Sequence, residues 1–387
     1  MNHMMTETND RRLPVGIQSF ETIRKEGYLY VDKTDIIWQL ANRGKKYNYL
    51  SRPRRFGKSV LVDTLQAYFE GKKELFEGLK IMDLEKEWKH YPVIRLDMSR
   101  GGANAGTLRS YLNLRFKEYE NLYGITPDPT ARLADRFHGI LSAANKKTGL
   151  QVAILIDEYD SPLQHSWKTP QHDECTEVYR EVFAILKADD EMECFVFITG
   201  ITKFSQLSIF SELNNITNIS MDEAYAGICG ITKEELLTQM SDDIDRLAEK
   251  LSVTREEAIL QLTDNYDGYH FTYPSPDIFN PYSLLNCFSK EKIGAYWFGS
   301  GTPTFLIEMM RKFDVKASDI VEGIEADKTE FDAPTECLET ITPLLYQSGY
   351  LTIKNYNKET DLYTLDIPNK EIRVGLYRSL LPRFENE

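Results

Sequence analysis

The chain has 387 residues, of which 46 are Lys or Arg and 60 are Asp or Glu, so its formal net charge is −14. This length predicts two or three domains, and a content of 42% hydrophobic and 12% aromatic residues excludes a disordered chain. The acidic balance argues against nucleic-acid binding driven by charge over the whole surface. The most apolar runs, at 152–156 and 194–201, are far shorter than the ~18–20 residues that span a membrane.

The first ten residues, MNHMMTETND, are polar and lack the apolar core of a signal peptide. The five cysteines are scattered, without a CxxC pair or the spacing of metal ligands. We therefore predict a disordered tail over residues 1–12 and a reduced, cytoplasmic protein without structural zinc and without a membrane partner.

Residues 13–220 alternate short apolar runs with longer amphipathic segments, which is typical of strands and helices that follow each other in turn. Strands are predicted at 47–51, 91–98, 152–156, 194–199 and 216–220, and helices at 58–69, 107–123, 131–147 and 174–187. Because helices join the strands, the connections are crossovers. The pattern predicts an α/β domain with a mostly parallel sheet that is covered on both faces.

The texture of the sequence changes after residue 221. Helices predicted at 232–248, 254–262, 280–288 and 303–312 make residues 221–335 a helical lid or linker, with Thr232 and Thr254 as N-caps. Residues 336–387 are predicted as a helix that ends at Gly349, strands at 350–356 and 362–367, and a helix at 370–381. That order predicts a winged-helix-like C-terminal module.

The segment SRPRRFGKS, at residues 51–59, lies between a predicted strand and a predicted helix. Its last three residues match the end of the P-loop pattern G-x-x-x-x-G-K-[ST], while Arg52 occupies the first glycine position. Gly57 lets the backbone approach phosphate oxygens, and the following helix directs free N–H groups at the anion. Lys58 is then placed to reach the β- and γ-phosphates and Ser59 to bind Mg²⁺.

The arginines of this segment, Arg52, Arg54 and Arg55, add positive charge that a plain turn does not require. The alternative interpretation is a basic loop that contains an incidental GKS. The motif alone favours nucleotide binding without deciding it.

A second motif, VAILIDEYD at residues 152–160, combines a buried strand with acids at its carboxyl end. Ligands of open α/β sheets bind at that edge, so Asp157 is expected in the Mg²⁺ shell and Glu158 beside an attacking water. Acid-tipped strands are common by themselves. Here the acids follow the GKS by about 100 residues, with the strand at 91–98 between them, which is the arrangement of an additional-strand P-loop ATPase.

The next predicted strand ends in Thr199, Thr202 and Lys203. Its tip is expected beside the Asp157 strand, where Thr199 or Thr202 could sense the γ-phosphate or orient water; ordinary turn hydroxyls are the alternative. Asp160 is either a supporting residue or the N-cap of the next helix, and the sequence favours the cap.

Two further segments could contact the nucleotide base. The aromatic segment NYDGYHF at 265–271 could close over the base or pack the lid against the sheet, and packing is the favoured interpretation. Tyr30 or Ile17 precedes the P-loop strand and could stack on the base. An arginine finger could come in cis from Arg54 or Arg55, or across an oligomer interface from a surface arginine such as Arg100 or Arg180.

Six segments together resemble the predicted AAA-ATPase-like family of bacteria and archaea, which is similar to the archaeal and STAND-type branch of P-loop ATPases: SRPRRFGKS, ILIDEYDSPL, FITGITKFS, SELNNITNIS, NYDGYHF and GTPTFLI. The resemblance spans residues 13–384, and arginine at the start of the P-loop is this family's own form. It implies ATP binding through a P-loop set, Arg54, Arg55, Phe56, Gly57, Lys58, Ser59 and Val60, with Asp157 and Glu158 in the Walker B role. Such proteins usually continue into a PD-(D/E)XK nuclease-like domain, so the resemblance also implies such an effector as a domain or partner.

The favoured function is therefore an Mg²⁺-dependent ATPase that acts as a conformational switch, with Lys58, Asp157, Glu158 and Thr199 as catalytic residues. One alternative is a nucleotide-binding scaffold with negligible turnover. Another is a winged-helix DNA-binding regulator. The helix before Gly349 has no Arg or Lys, whereas the last helix carries a modest basic set, Lys370, Arg373, Arg378 and Arg383. An oligomer is compatible with all three functions.

Overall fold

Five parallel strands form the central sheet in the computed structural model of the protein, which describes residues 12–203, 216–298, 304–315, 323–335 and 338–380. The strands are β1 (Tyr47–Ser51), β2 (Val93–Asp97), β3 (Val152–Asp157), β4 (Glu193–Gly200) and β5 (Thr217–Asn218). Their order is β2-β3-β4-β1-β5, and all their pairings are parallel. The α/β class and the parallel sheet are thus confirmed, with β4 inserted between the P-loop strand and the acid-tipped strand.

Helices cover both faces of this sheet because alternate residues of its strands point to opposite sides. The helices of this part are α1 (Phe20–Lys25), α2 (Thr34–Arg43), α3 (Lys58–Phe69), α4 (Ile81–Leu84), α5 (Ala105–Tyr123), α6 (Leu133–Thr148), α7 (Ser161–Ser166) and α8 (His172–Ala188). Ile154 and Ile156 belong to the core that α5, α6 and α8 share, whereas Ala153 and Leu155 belong to the core with α3. All six residues of β3 are buried, as expected of a central parallel strand.

Tyrosine hydroxyls cover the outer edge of β2, where no further strand from the described ranges pairs. The Tyr111 hydroxyl accepts a hydrogen bond from the backbone N–H of Asp97 at 2.8 Å. The Tyr119 hydroxyl accepts from the N–H of Arg95 at 2.7 Å and donates to its carbonyl at 3.1 Å. Both tyrosines come from α5, so this helix satisfies backbone groups that an open edge would leave available for pairing.

The region after the sheet is helical, with a two-stranded pairing inserted. It contains β6 (Ile231–Thr232), α9 (Lys233–Gln239), α10 (Ser241–Leu251), α11 (Arg255–Tyr266), β7 (Ile278–Phe279) and α12 (Pro281–Lys290). Thr232 and Thr254 form capping boxes with Glu235 and Glu257, so the predicted N-caps are confirmed. The single helix predicted at 232–248 is wrong, because the backbone leaves helical geometry at the fully buried Met240 and starts a second helix at Ser241.

The C-terminal part places a three-stranded antiparallel sheet among short helices. Its elements are α13 (Thr304–Lys312), β8 (Ile324–Ala326), α14 (Lys328–Phe331), α15 (Thr342–Gln347), β9 (Thr352–Asn357), β10 (Leu362–Asp366) and α16 (Lys370–Leu380). The helix, hairpin and closing helix that the sequence predicts are present. The sheet order is β8-β10-β9. Strand β8, which pairs with the hairpin, therefore precedes residue 336, the predicted start of the winged-helix-like module.

Several predictions fall outside the described residues: the tail up to residue 11, the segment 204–215, residues 301–303 of GTPTFLI, and Arg383 in the last seven residues. None of the helices in the described ranges is long and apolar enough to cross a bilayer.

Candidate nucleotide-binding site

A cavity of about 590 Å³ opens at the carboxyl edge of the central sheet. Its polar end is lined by the P-loop from Arg54 to Val60 and by Glu158, Gln164 and Thr202. Its apolar end is lined by side chains from before β1 and after β5, including Ile17, Tyr30, Val31, Ile37, Ile228 and Ile231. The cavity thus joins a charged end to an apolar end, as a nucleotide requires.

The P-loop turns into α3 at Gly57, whose φ of 92° lies in the left-handed region that favours glycine. Lys58 follows and is only 4% exposed. Its ammonium donates to the carbonyls of Arg52 and Pro53, both at 2.9 Å. Burial lowers the pKa of Lys58, while the nearby Glu158 acts in the opposite direction. The loop therefore surrounds one buried cation with its own backbone oxygens.

Arg52, which stands at the first glycine position of the motif, does not line the cavity. Its guanidinium is 1% exposed and donates to the carbonyls of Ser51, Ser220 and Tyr225. It also lies over the ring of Phe271 at 4.0 Å, and desolvation lowers the pKa of Arg52 to about 10. The prediction that Arg52 adds charge for phosphate is therefore wrong: it fastens the end of β1 to residues 220–225.

Arg54 and Arg55 are exposed and line the cavity. The guanidinium of Arg55 lies 4.2 Å from the ring centroid of Tyr282, on α12. Of the other predicted finger candidates, Arg100 pairs with Asp97 at 3.2 Å and Arg180 pairs with Glu177. Neither of these two lines the cavity.

Residues after 268, called the C-terminal half below, contact the P-loop at three points. The fully buried ring of Phe56 packs edge-on against Tyr269 and Phe271, with centroid distances of 4.8 and 5.4 Å. The Trp297 indole N–H donates to the carbonyl of Arg54 at 2.9 Å. A Cβ added at Gly349 would lie 2.7 Å from ring atoms of Pro53, so the Gly349 backbone packs directly against that ring. The favoured interpretation of NYDGYHF as a packing segment is thereby confirmed.

The acid-tipped strand ends as predicted beside the tip of β4. Asp157 is 2% exposed, and its Oδ1 accepts a hydrogen bond from the Thr199 hydroxyl at 2.7 Å. The same hydroxyl accepts from the backbone N–H of Glu158 at 3.3 Å. Glu158 lines the cavity, whereas Asp157 and Thr199 lie behind its wall. Burial raises the pKa of Glu158, although Lys58 acts against that shift.

Asp160 holds the turn that follows β4. Its Oδ2 accepts hydrogen bonds from the N–H of Ile201 at 3.0 Å, and from the N–H and hydroxyl of Thr202 at 2.7 and 2.8 Å. The Gln164 amide donates to the same oxygen at 2.6 Å. Asp160 is the N-cap residue of α7, as the sequence favours, but its side chain makes no cap hydrogen bond and supports the β4 turn instead. A Cβ at Gly200 would lie 2.7 Å from the Asp160 carboxylate, so this turn needs glycine.

The residue after this turn connects it to the C-terminal part. The N–H of Lys203 donates to Gln347 at 3.1 Å, and its carbonyl accepts from the N–H of Thr335 at 2.8 Å. Its ammonium pairs with the Asp332 carboxylate at 3.0 Å. The P-loop and the β4 turn, which both contribute residues to the cavity lining, therefore both contact the C-terminal part of the chain.

The residues suggested for base stacking, Ile17 and Tyr30, both line the apolar end of the cavity. The Tyr30 hydroxyl lies 3.4 Å from that of Thr64 on α3. Sequence reasoning missed Gln164, which lines the polar end. Its spacing of four residues from Asp160 within a helical segment was the available signal.

The donors available for Mg²⁺ are the Ser59 hydroxyl and the Asp157 carboxylate. Across the described ranges, no group of three or more His, Cys, Asp or Glu side chains is placed to hold a metal alone. Mg²⁺ characteristically binds to one or two carboxylates together with substrate phosphates and water. The buried Asp157 carboxylate, which accepts a hydrogen bond from Thr199, and the Ser59 hydroxyl at the start of α3 are oxygen ligands of the kind that this ion takes.

The sequence profile described as Predicted AAA-ATPase matches residues 14–210, which include β1 to β4, the P-loop, Asp157, Glu158, Gln164 and Thr202. The chain belongs to this AAA-ATPase-like family. This AAA-ATPase-like protein is also 34% identical over 386 residues to an uncharacterized protein in the vnfD 5' region of Azotobacter chroococcum. That alignment covers 97% of the chain and 70% of the relative.

Two solved structures overlap with the AAA-ATPase-like protein over most of its length. The Aeropyrum pernix ORC2 protein in ADPNP–ADP complexes is 10% identical, with 98% of both chains covered and a TM-score of 0.35. The Aeropyrum pernix ORC1 protein in complex with DNA is 11% identical, with 90% of this chain and 91% of that chain covered and a TM-score of 0.31. Overlaps of this quality do not bear on the fold, which the strand order defines by itself.

Proposed function

We propose that this protein binds ATP with Mg²⁺ in the cavity and hydrolyses it, and that the reaction drives a conformational switch. One observation carries the proposal: the GKS segment and the Asp157–Glu158 pair meet at one edge of the sheet, with β4 between their strands. Membership in the AAA-ATPase-like family supports it further.

The roles follow from where each group stands. The N–H groups at the start of α3 and the Lys58 ammonium would bind the β- and γ-phosphates, because both present positive charge to the anion. The P-loop segment from Arg54 to Val60 would surround the phosphates. Ser59 and Asp157 would hold Mg²⁺, which when bound neutralises phosphate charge.

Glu158 would act on the attacking water, since it lines the cavity and Asp157 does not. Its raised pKa makes it a stronger base than an exposed glutamate. Thr199 would support the reaction indirectly, because its hydroxyl bridges the Asp157 carboxylate and the Glu158 N–H.

The switch role rests on the double contact with the C-terminal half. Phe56 and Arg54 in the P-loop and Lys203 in the β4 turn are each bonded to or packed on that half. If a bound nucleotide shifts the P-loop relative to the β4 turn, the C-terminal half, which contacts both, would be strained or would move. An effector, such as the nuclease-like domain that the family resemblance implies, would be driven from that region.

A DNA-binding role for the helix before the hairpin is not proposed. Four of the six residues of α15 are buried, and its Gln347 side chain bonds to Lys203. This helix therefore faces the ATPase part of the chain.

Calorimetric titration with ATP and Mg²⁺, together with phosphate release, tests the proposal. The wild type should bind ATP, and Lys58→Ala should weaken binding at least about tenfold because it removes a charge-assisted contact. Glu158→Gln should retain binding while turnover falls by about 10²-fold or more. Equal ATP affinity of the wild type and Lys58→Ala would refute the site. Binding without any phosphate release would instead favour the nucleotide-binding scaffold.

A further inference from the structure

We propose that Gln164 orients the attacking water in this site, and that Asp160 and Thr202 are the residues that position it. This inference rests on the proposed ATPase function and adds a catalytic residue to it. The role depends on how the side chains of Gln164, Asp160 and Thr202 meet, which the sequence motifs do not specify.

Hydrogen bonds fix the orientation of the Gln164 amide. Its Nε2 donates to Asp160 Oδ2 at 2.6 Å and to the Thr202 hydroxyl at 2.9 Å. A carboxylate can only accept, so the amide must turn its NH₂ group toward Asp160 and its Oε1 away from it. Within the described parts of the chain, Oε1 accepts no hydrogen bond from the protein, and it remains available as an acceptor.

The positioning residues are themselves rigid. Asp160 is 1% exposed and Thr202 is 2% exposed. Asp160 Oδ2 receives four hydrogen bonds, and the Tyr49 and Tyr159 hydroxyls both donate to the Thr202 carbonyl, at 3.2 and 3.1 Å. A side chain held by such a network stands in one place before the reaction begins, which is what orientation of a reactant requires.

Gln164 shares the polar end of the cavity with the groups assigned to the phosphates. It lines the same space as Lys58, Ser59 and Glu158, and α7, which carries it, begins three residues after Glu158. A free amide oxygen in this position can accept one hydrogen of a water molecule whose other hydrogen faces Glu158.

The chemistry balances without a further reactant. The water oxygen forms a bond to the γ-phosphorus as the bond to the bridging oxygen breaks, and the water proton passes to Glu158 or to a phosphate oxygen. The amide of Gln164 neither gains nor loses a proton at neutral pH. Its contribution is to direct the water lone pair, as a glutamine does in other P-loop enzymes.

The experiment compares Gln164→Met with the wild-type full chain. Methionine keeps the length of the side chain but has no amide. Single-turnover phosphate release should slow at least about tenfold, while the ATP dissociation constant, measured by calorimetry with Mg²⁺, should stay within about twofold. Gln171→Met, an exposed position after α7 that does not line the cavity, is the matched control and should leave both quantities unchanged.

A second pair of variants tests the positioning role and covers the case in which Gln164→Met does not fold. Thr202→Val removes the hydroxyl that bonds the amide and should also slow turnover at unchanged ATP affinity, whereas Thr202→Ser keeps the hydroxyl and should restore the rate.

Turnover of Gln164→Met within twofold of the wild type would overturn the inference while leaving the proposed ATPase intact. So would a parallel loss of ATP affinity and rate in Gln164→Met and Thr202→Val, since that pattern indicates a structural role only. A wild-type chain that binds ATP but releases no phosphate would overturn the proposed hydrolysis itself.

Discussion

The ring of Phe56 offers the sharpest test of the contact between the P-loop and the C-terminal half. It is fully buried and belongs to a core cluster whose other buried members all come from residues 269–376. Replacing a buried Phe with Ala costs about 3–5 kcal/mol in unfolding free energy. The two edge-on contacts, with Tyr269 and Phe271, account for about 0.5–1.5 kcal/mol each. We expect Phe56→Ala to lose about 4 kcal/mol.

The same change should weaken ATP binding, because Phe56 directly precedes Gly57 and its carbonyl accepts a hydrogen bond from the Gly230 N–H at 3.2 Å. Without the ring, the P-loop is less ordered before ATP binds, so part of the binding free energy is used to order it. A loss of about tenfold in affinity, or about 1.4 kcal/mol, is the expected result. Denaturant unfolding followed by calorimetric titration of the folded variant measures both effects.

Phe116→Ala is the matched control. Phe116 is also fully buried and stacks on Phe137 at 5.3 Å, but it lies in the core that α5, α6 and α8 share on one face of the sheet and does not line the cavity. It should lose similar stability and keep its ATP affinity. If both variants lose the same stability and bind ATP as tightly as the wild type, the ring of Phe56 does not order the loop.

Two further predictions concern groups away from the cavity. Burial raises the pKa of Glu193 to about 8 from an ordinary 4.5, so the folded chain keeps a proton that the unfolded chain has released between these values. The unfolding free energy should therefore fall as the pH rises from 4.5 to 8, by at most about 5 kcal/mol. Glu193→Gln should flatten that slope in urea titrations at several pH values, and parallel slopes would contradict the assignment. Tyr119→Phe removes the hydroxyl that bonds to the backbone of Arg95 at the β2 edge. This change should lower the unfolding free energy, measured in urea, by about 1–3 kcal/mol. Tyr123→Phe, on the same helix and without a hydroxyl hydrogen bond in the described structure, should stay within about 0.5 kcal/mol of the wild type; equal effects of the two changes would refute the edge role.

The centre of the sheet could be predicted from the sequence because β3 and β4 are nearly continuous apolar runs. The first and last paired residues of each strand were harder to predict. The strand predicted at 91–98 pairs over Val93–Asp97, and the one predicted at 216–220 pairs only at Thr217–Asn218. Where pairing stops depends on the neighbouring strand, which local pattern does not specify. Met240 illustrates the same limit in a helix, since tertiary packing ends a segment whose periodicity continues.

The site could be predicted as far as its motifs are local. The cavity is lined by Lys58, Ser59 and Glu158. These positions could be predicted because each lies just beyond a strand that the local pattern identifies. Arg52 could not be assigned in this way, because its partners are carbonyls at Ser220 and Tyr225, about 170 residues away. Gln164 was missed for a related reason: its significance depends on Thr202, which lies in the turn after β4 and is distant from Gln164 in the chain.

The burial of Phe56 among C-terminal side chains also bears on how the chain unfolds. A fragment that ended near residue 220 would expose this ring to water and would remove Phe271 from beside the buried guanidinium of Arg52. Both changes would affect contacts of the P-loop segment itself rather than those of a distant surface. The loop and the C-terminal half should therefore melt as one cooperative unit, so that proteolytic or genetic removal of the second half would abolish nucleotide binding in the first.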